Sequence, residues 1–168
     1  MDLQDSDRLL VGAAQVVRAD AAVVSGSSYK FRFAIAVDAD RGDLLVANEE
    51  GKSVTELTSP NDTLVRVISG SRYKLSTPVS LALDEGDLFV ANAGGPTSPG
   101  SVTEIAAAYG TVVRVISGSS YRFKAPRAVA ADGSDLFVAN IGGNSITEIA
   151  ASNGALVRVI SSKEVRKG

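Results

Sequence analysis

The chain contains no cysteine and no histidine. Without cysteine, disulfide staples, thiolate nucleophiles and sulfur-ligated zinc sites are excluded. Without histidine, the commonest general base and the commonest transition-metal ligand are missing as well. Tryptophan is also absent and aromatic residues make up only 5% of the sequence, which weakens any reading that needs stacking surfaces for sugars. Charge of either sign is modest: 17 Lys and Arg against 19 Asp and Glu leave a net −2. That balance does not fit a chain built to neutralise nucleic-acid phosphates or to cling to an anionic membrane. No apolar run approaches the roughly 18 residues of a spanning helix, and the opening Met1-Asp2-Leu3-Gln4-Asp5-Ser6-Asp7 lacks the basic start of a secretory leader. The cytoplasm is the default expectation, with neither nucleic acid nor membrane as a partner. What is present is apolar substance: 45% hydrophobic residues in 168, enough for one core-bearing domain.

That domain is a repeat. Asp43-Leu44-Leu45-Val46-Ala47-Asn48 returns as Asp87-Leu88-Phe89-Val90-Ala91-Asn92 and as Asp135-Leu136-Phe137-Val138-Ala139-Asn140. Ser53-Val54-Thr55-Glu56-Leu57 returns from Ser101 and from Ser145, Val65-Arg66-Val67-Ile68-Ser69 from Val113 and from Val157. Ser25-Gly26-Ser27-Ser28-Tyr29 returns from Ser69 and from Ser117. A worn copy stands at the N-terminus, where Ser6–Val11 and Ala22–Gly26 echo two of the motifs. The single domain over residues 1–168 thus divides at about 5–30, 31–74, 75–122 and 123–162, with a tail at 163–168. The second unit is longer by four residues in Ala93–Gly100 than the first in Glu49–Lys52, and its Gly and Pro residues mark a loop.

Each unit reads as four short strands; in the second they are predicted near Val79–Leu83, Leu88–Asn92, Ser101–Ala106 and Thr111–Ser117. Turn signals separate them, among them Asp84–Asp87 and the hairpin dipeptide Asn153-Gly154. Leu88-Phe89-Val90-Ala91 is apolar at every position, as a strand covered on both faces must be. Four antiparallel strands in about 40–50 residues make one blade of a β-propeller. The predicted fold is therefore all-β, with three full blades and a shortened N-terminal one.

The order Gly-Asp-Leu-Phe-Val-Ala-Asn, Ser-Val-Thr-Glu-Ile, Gly-Thr-Val-Val-Arg-Val-Ile-Ser-Gly, seen from Gly86 onward, resembles the NHL and YVTN type of propeller repeat, in the superfamily that includes the streptogramin (virginiamycin B) lyases. The resemblance implies the propeller fold over nearly all of residues 6–161. The lyases' histidine base and divalent metal have no counterpart here, so that activity does not follow. Their fold serves enzymes, binding modules and scaffolds alike.

Three and a half blades leave an apolar face uncovered at each end of an open arc. Two chains joining into a ring of six to eight blades is the preferred resolution. Completion of a four-bladed ring by the worn unit, or a fragmentary chain, are the others. Among chemistry-bearing residues, Tyr29, Tyr73 and Tyr121 are each followed by a cation, Lys30, Lys74 and Arg122. They fall in the connections between blades, where phenols and cations could line the ring's mouth for an anionic or sugar-like ligand. The competing reading is a Tyr that plugs the seam between blades while the cation faces solvent. Glu56, Glu104 and Glu148 each precede an Arg by ten residues (Arg66, Arg114, Arg158), predicting cross-strand ion pairs on the outer part of the blade, worth about 0.2–1 kcal/mol. Asp38–Asp43 resembles an acidic calcium loop but is read as turn capping, as is Arg41-Gly42-Asp43. No phosphate loop, nucleophile elbow, cofactor site or metal site is expected. The reading is a non-catalytic binding or scaffold module that self-associates, with a degenerate lyase-like enzyme or a ligand binder as alternatives.

Overall fold

A computed structural model describes residues 24–161, other than positions 41, 60 and 97. Residues 5–23 of the worn N-terminal copy and the tail at 163–168 lie outside the described residues. Twelve strands form three antiparallel sheets of four. The first contains β1 (Ala34–Asp40), β2 (Asp43–Asn48), β3 (Ser53–Thr58) and β4 (Thr63–Ser69). The second contains β5 (Pro78–Asp84), β6 (Asp87–Asn92), β7 (Ser101–Ala106) and β8 (Thr111–Ile116). The third contains β9 (Pro126–Ala131), β10 (Asp135–Asn140), β11 (Ser145–Ala150) and β12 (Leu156–Ser161). Within each sheet the spatial order follows the chain. The sheets are blades of a β-propeller, packed with β1 beside β5 and β5 beside β9.

The uniformly apolar β6 explains the stacking. Leu88 and Val90 join Leu81 and Ile105 in a core with Leu45, Ala47, Val54 and Ile68 of the first blade. Phe89 and Ala91, one residue out of phase, join Val102 and Ile116 in a second core with Val129, Leu136, Val138 and Ile149 of the third. The alternation of a strand sends successive side chains to opposite faces, so one tetrapeptide feeds two seams. Each buried Leu, Val or Phe contributes about 1.5–3 kcal/mol.

Inner strands are sheet edges, and the unpaired amides there need acceptors. The preceding blade supplies them. Asp38 Oδ2 accepts from the Leu83 amide at 2.8 Å, Ser80 Oγ from the Val129 amide at 3.1 Å, and Asp84 Oδ2 from the Gly133 amide at 2.8 Å. Each third-to-fourth strand pairing carries a bulge after its Glu. The extra residue, Val65, Val113 or Val157, is turned outward and exposed. Asn153-Gly154 does not form a two-residue hairpin. Gly154 closes a longer turn in the left-handed region, its amide donating to the Ala150 carbonyl at 2.8 Å, while Asn153 Oδ1 accepts from the Ala155 amide.

A buried polar relay ties each inter-blade connection to the blade that follows it. In the second blade, Asn92 at the end of β6 donates through Nδ2 to Ser101 Oγ at 3.2 Å and to Thr103 Oγ1 at 3.1 Å. Thr103 in turn donates to the Tyr73 carbonyl at 2.8 Å. Asn48 with Thr55 and Tyr29, and Asn140 with Thr147 and Tyr121, repeat the arrangement. Thr103→Val would leave the Tyr73 carbonyl without its donor and take one acceptor from the buried Asn92 amide, which keeps Ser101 and the Val90 carbonyl. It is expected to lower stability by about 1–3 kcal/mol in urea denaturation, whereas Val113→Thr on the exposed bulge should stay within about 0.5 kcal/mol of the parent.

Candidate functional site

The tyrosines and cations adjacent in sequence part company in space. Each Tyr closes a short 3-10 turn, Ser27–Tyr29, Ser71–Tyr73 or Ser119–Tyr121. Its ring lies half-buried along the seam; Tyr73 packs on one core and Tyr121 on the other. The hydroxyl reaches the far hairpin of the following blade: Tyr29 donates to the Asp62 carbonyl, Tyr73 to Gly110 and Tyr121 to Gly154, at 3.1, 2.7 and 2.7 Å. Tyr29 and Tyr121 also stack on Phe31 and Phe123. All three phenols are thus committed to protein contacts.

The cations stand apart. Lys30, Lys74 and Arg122 are exposed and adopt left-handed backbone, with φ of 56°, 51° and 51°. A side chain in that conformation costs about 1–2 kcal/mol that glycine would avoid. Each of the three lines a cleft, and the clefts share a plan. Lys74 lies with Ser101, Val115 and Ser117 in a cleft of about 770 Å3. Arg122 lies with Ser145, Val159 and Ser161 in one of about 670 Å3, and Lys30 with Ser53, Val67 and Ser69 in one of about 530 Å3. These are the same four repeat positions each time. Further cations join them: Arg72 and Lys52 in the first cleft, Lys124 in the second and Arg32 in the third. Among the described residues no carboxylate lines any of the three, although Arg32 Nη2 lies 3.7 Å from Glu50 Oε2 beside the third. The smaller clefts elsewhere mix signs, one with Asp43, Glu56 and Arg66 and the other with Asp84, Glu85, Asp87, Glu104 and Arg114. The serines and second cations were not among the site residues expected from sequence. They converge only when the third and fourth strands of a blade meet the turn that precedes it.

The glutamates pair with arginines directly across the third and fourth strands of each blade, as Glu56 with Arg66, Glu104 with Arg114 and Glu148 with Arg158, at 2.8, 2.8 and 2.6 Å. They are not the surface pairs expected, because all three carboxylates are buried. In the first two blades the arginine does more than pair. Its second nitrogen spans the seam: Arg66 Nη2 donates to the Ala108 carbonyl and Arg114 Nη2 to the Ser152 carbonyl, both at 3.2 Å. Gly110 packs beneath Arg66 so closely that a Cβ there would fall 2.7 Å from Nη1. Arg66 and Arg114 each clamp two blades over a buried carboxylate. Arg158 makes no such second contact among the described residues, and its side chain is 64% exposed against 29% and 28% for the other two.

No group of three or more His, Cys, Asp or Glu among the described residues could hold a metal. No helix there is long and apolar enough to cross a membrane.

No protein-family model matches the chain, and no curated protein matches it either. Solved structures do. The chain is similar to hydrazine synthase of Kuenenia stuttgartiensis, with a TM-score of 0.65 and 19% identity over 87% of this chain and 39% of that one. It is similar to a chain of a nidogen–laminin complex at 0.61 and 17% identity, covering 76% and 47%. It is similar to the WD40 repeats of RRP9 at 0.63 and 13% identity, covering 78% and 39%. It spans less than half the length of each. Likeness at this identity bears on architecture alone, and WD40 repeats are propeller blades. The class is a β-propeller repeat protein.

Burial pushes the Glu104 carboxyl above its ordinary value of 4.5, against the opposing pull of Arg114 and with a smaller push from Asp87. Glu56 is raised in the same way, with Arg66 opposing and Asp43 adding. A carboxyl raised on folding contributes stability that is fully present below the unfolded value and is lost as pH rises through the folded one. Glu104→Gln removes that titration and keeps an acceptor for Arg114. The melting temperature of the parent is expected to fall relative to Glu104→Gln as pH rises from 4.5 toward neutrality; a constant offset over that range would refute the assignment.

Proposed function

We propose that the chain is a non-catalytic binding and scaffold module with NHL/YVTN-type repeats, and that it associates with a second copy to close a larger ring. The observation that carries this reading is the outer face of the third blade. Phe89, Ala91, Val102 and Ile116 of the second blade are 2%, 0%, 0% and 4% exposed, because the third blade covers them. Their counterparts are Phe137, Ala139, Ile146 and Ile160. The first two are only half-buried, and both isoleucines are 41% exposed. The same chemistry that seats a blade inside the molecule is presented here without one. A contiguous apolar face of this kind marks an interaction surface. Arg158 supports the reading, since its guanidinium stands where Arg66 and Arg114 hold a following blade.

Light scattering is expected to give a mass near twice 17.3 kDa, with a melting temperature that rises with protein concentration. A mass of one chain at all concentrations rejects self-association. Ile146→Glu and Ile160→Glu, both on exposed positions and so tolerated by the fold, are expected to yield monomers. A dimer that survives both substitutions is built on another face.

A further inference from the structure

We propose that the three cation-lined clefts form one extended site for a linear anionic polysaccharide, a sugar chain bearing sulfate or carboxylate groups. The inference goes beyond self-association and uses a different surface. Three observations converge on it. The first is repetition. One set of positions, a left-handed cation, the first serine of the third strand, and a valine and serine late in the fourth, builds a cleft on each blade. A ligand made of repeating units meets a receptor made of repeating units, and each weak contact raises the effective concentration for the next.

The second is identity under strain. Lys30, Lys74 and Arg122 each hold a cation where the backbone favours glycine. Seven other non-glycine residues among those described share this backbone region, but only here does one repeat position carry an exposed cation in all three units. The third is sign. Each cleft holds at least two cations and no carboxylate, although acidic residues outnumber basic ones in the chain. Sulfate and carboxylate oxygens take charge-assisted hydrogen bonds from Lys and Arg, and the serines offer partners to sugar hydroxyls.

The clefts favour a sugar chain gripped through its charges and hydroxyls, which needs no stacking platform, over a nucleic acid. Base recognition without sequence preference relies on exposed aromatic platforms. The phenols of Tyr29, Tyr73 and Tyr121 are turned into the seams, and Phe123, the one aromatic side chain lining these three clefts, is buried.

The test uses the intact chain and dextran sulfate as probe, with neutral dextran, glucose 6-sulfate and a single-stranded oligothymidylate of similar length as comparisons, in isothermal titration calorimetry. Dextran sulfate is expected to bind, with affinity falling as salt rises. Neutral dextran should not bind, and the monosulfate should bind at least about 100-fold more weakly than the polymer. Lys30→Gly, Lys74→Gly and Arg122→Gly each remove a cation and relax the backbone, so melting temperatures at or above the parent's certify the fold. Each is expected to weaken dextran sulfate about 3- to 10-fold, and the triple variant to abolish binding. Parent-like affinity in the triple variant, binding of neutral dextran, or monosulfate as tight as the polymer overturns the extended anionic site. Oligothymidylate binding as tightly as dextran sulfate, and lost in the same triple variant, overturns the assignment to a polysaccharide. None of these outcomes bears on the mass of the particle, so the dimer stands or falls separately.

Discussion

A four-stranded blade with two apolar faces cannot exist alone in water, and every other feature of this molecule answers to that constraint. The requirement goes further than covering Leu88 on one side and Phe89 on the other. Stacking sheets face to face brings the inner strands together as unpaired edges and buries the middle of the outer ones. The chain meets the first problem with side-chain acceptors, Asp38, Ser80 and Asp84, each accepting from an amide of the next blade. It meets the second with the Glu–Arg clamp, which places a carboxylate under a seam and closes the seam with the guanidinium that neutralises it. Neither device makes sense in an isolated sheet. Both are directional, and they fix which face of one blade meets which face of the next.

This is why the clamp could be read only in part from the sequence. Ten residues between Glu104 and Arg114, across a short hairpin, place the two opposite each other. Nothing in that spacing reveals that Arg114 also reaches the Ser152 carbonyl of another repeat. The pair therefore passes for a surface contact of little energetic weight. The same holds for the Asn–Thr–Tyr relay. Asn92, Thr103 and Tyr73 are unremarkable singly and come from three different motifs of the repeat. Their hydrogen bonds exist because the connection preceding a blade folds back over its third strand, a long-range fact. The strands themselves were legible because period-two packing and turn residues act locally. The predicted Leu88–Asn92 and Ser101–Ala106 coincide with β6 and β7 to within one residue.

The candidate site divides in the same way. Alternation in Tyr29-Lys30-Phe31 separates phenol from cation, and the structure keeps them separate, with Tyr29 stacked on Phe31 and Lys30 exposed. The motif names one wall of each cleft. The opposite wall, Ser101 with Val115 and Ser117 in the largest, is supplied by strands 27 to 43 residues further along the chain and is composed of residues with no signal of their own. Repetition is what makes the wall visible, since the same positions recur in three clefts whose other lining residues differ.

The terminal blade is more than an interrupted copy. Where the second blade presents Val79, Ser80 and Ala82 on its inner strand, the third presents Arg127, Ala128 and Ala130. Ala128 has no hydroxyl to receive a neighbour's amide as Ser80 does. Asp132, in the place of Asp84, turns its carboxylate back on the Ser134 and Asp135 amides of its own hairpin. A charged, acceptor-poor inner edge resists strand addition, while the outer strands keep Ile146, Ile160 and the unengaged Arg158. A seam formed there would hold through its outer half and lack the inner hydrogen bonds of the internal seams. Such a joint is weaker than those between blades of one chain. Copies joined through it would be held by apolar contact and by Arg158 rather than by inner-edge hydrogen bonds.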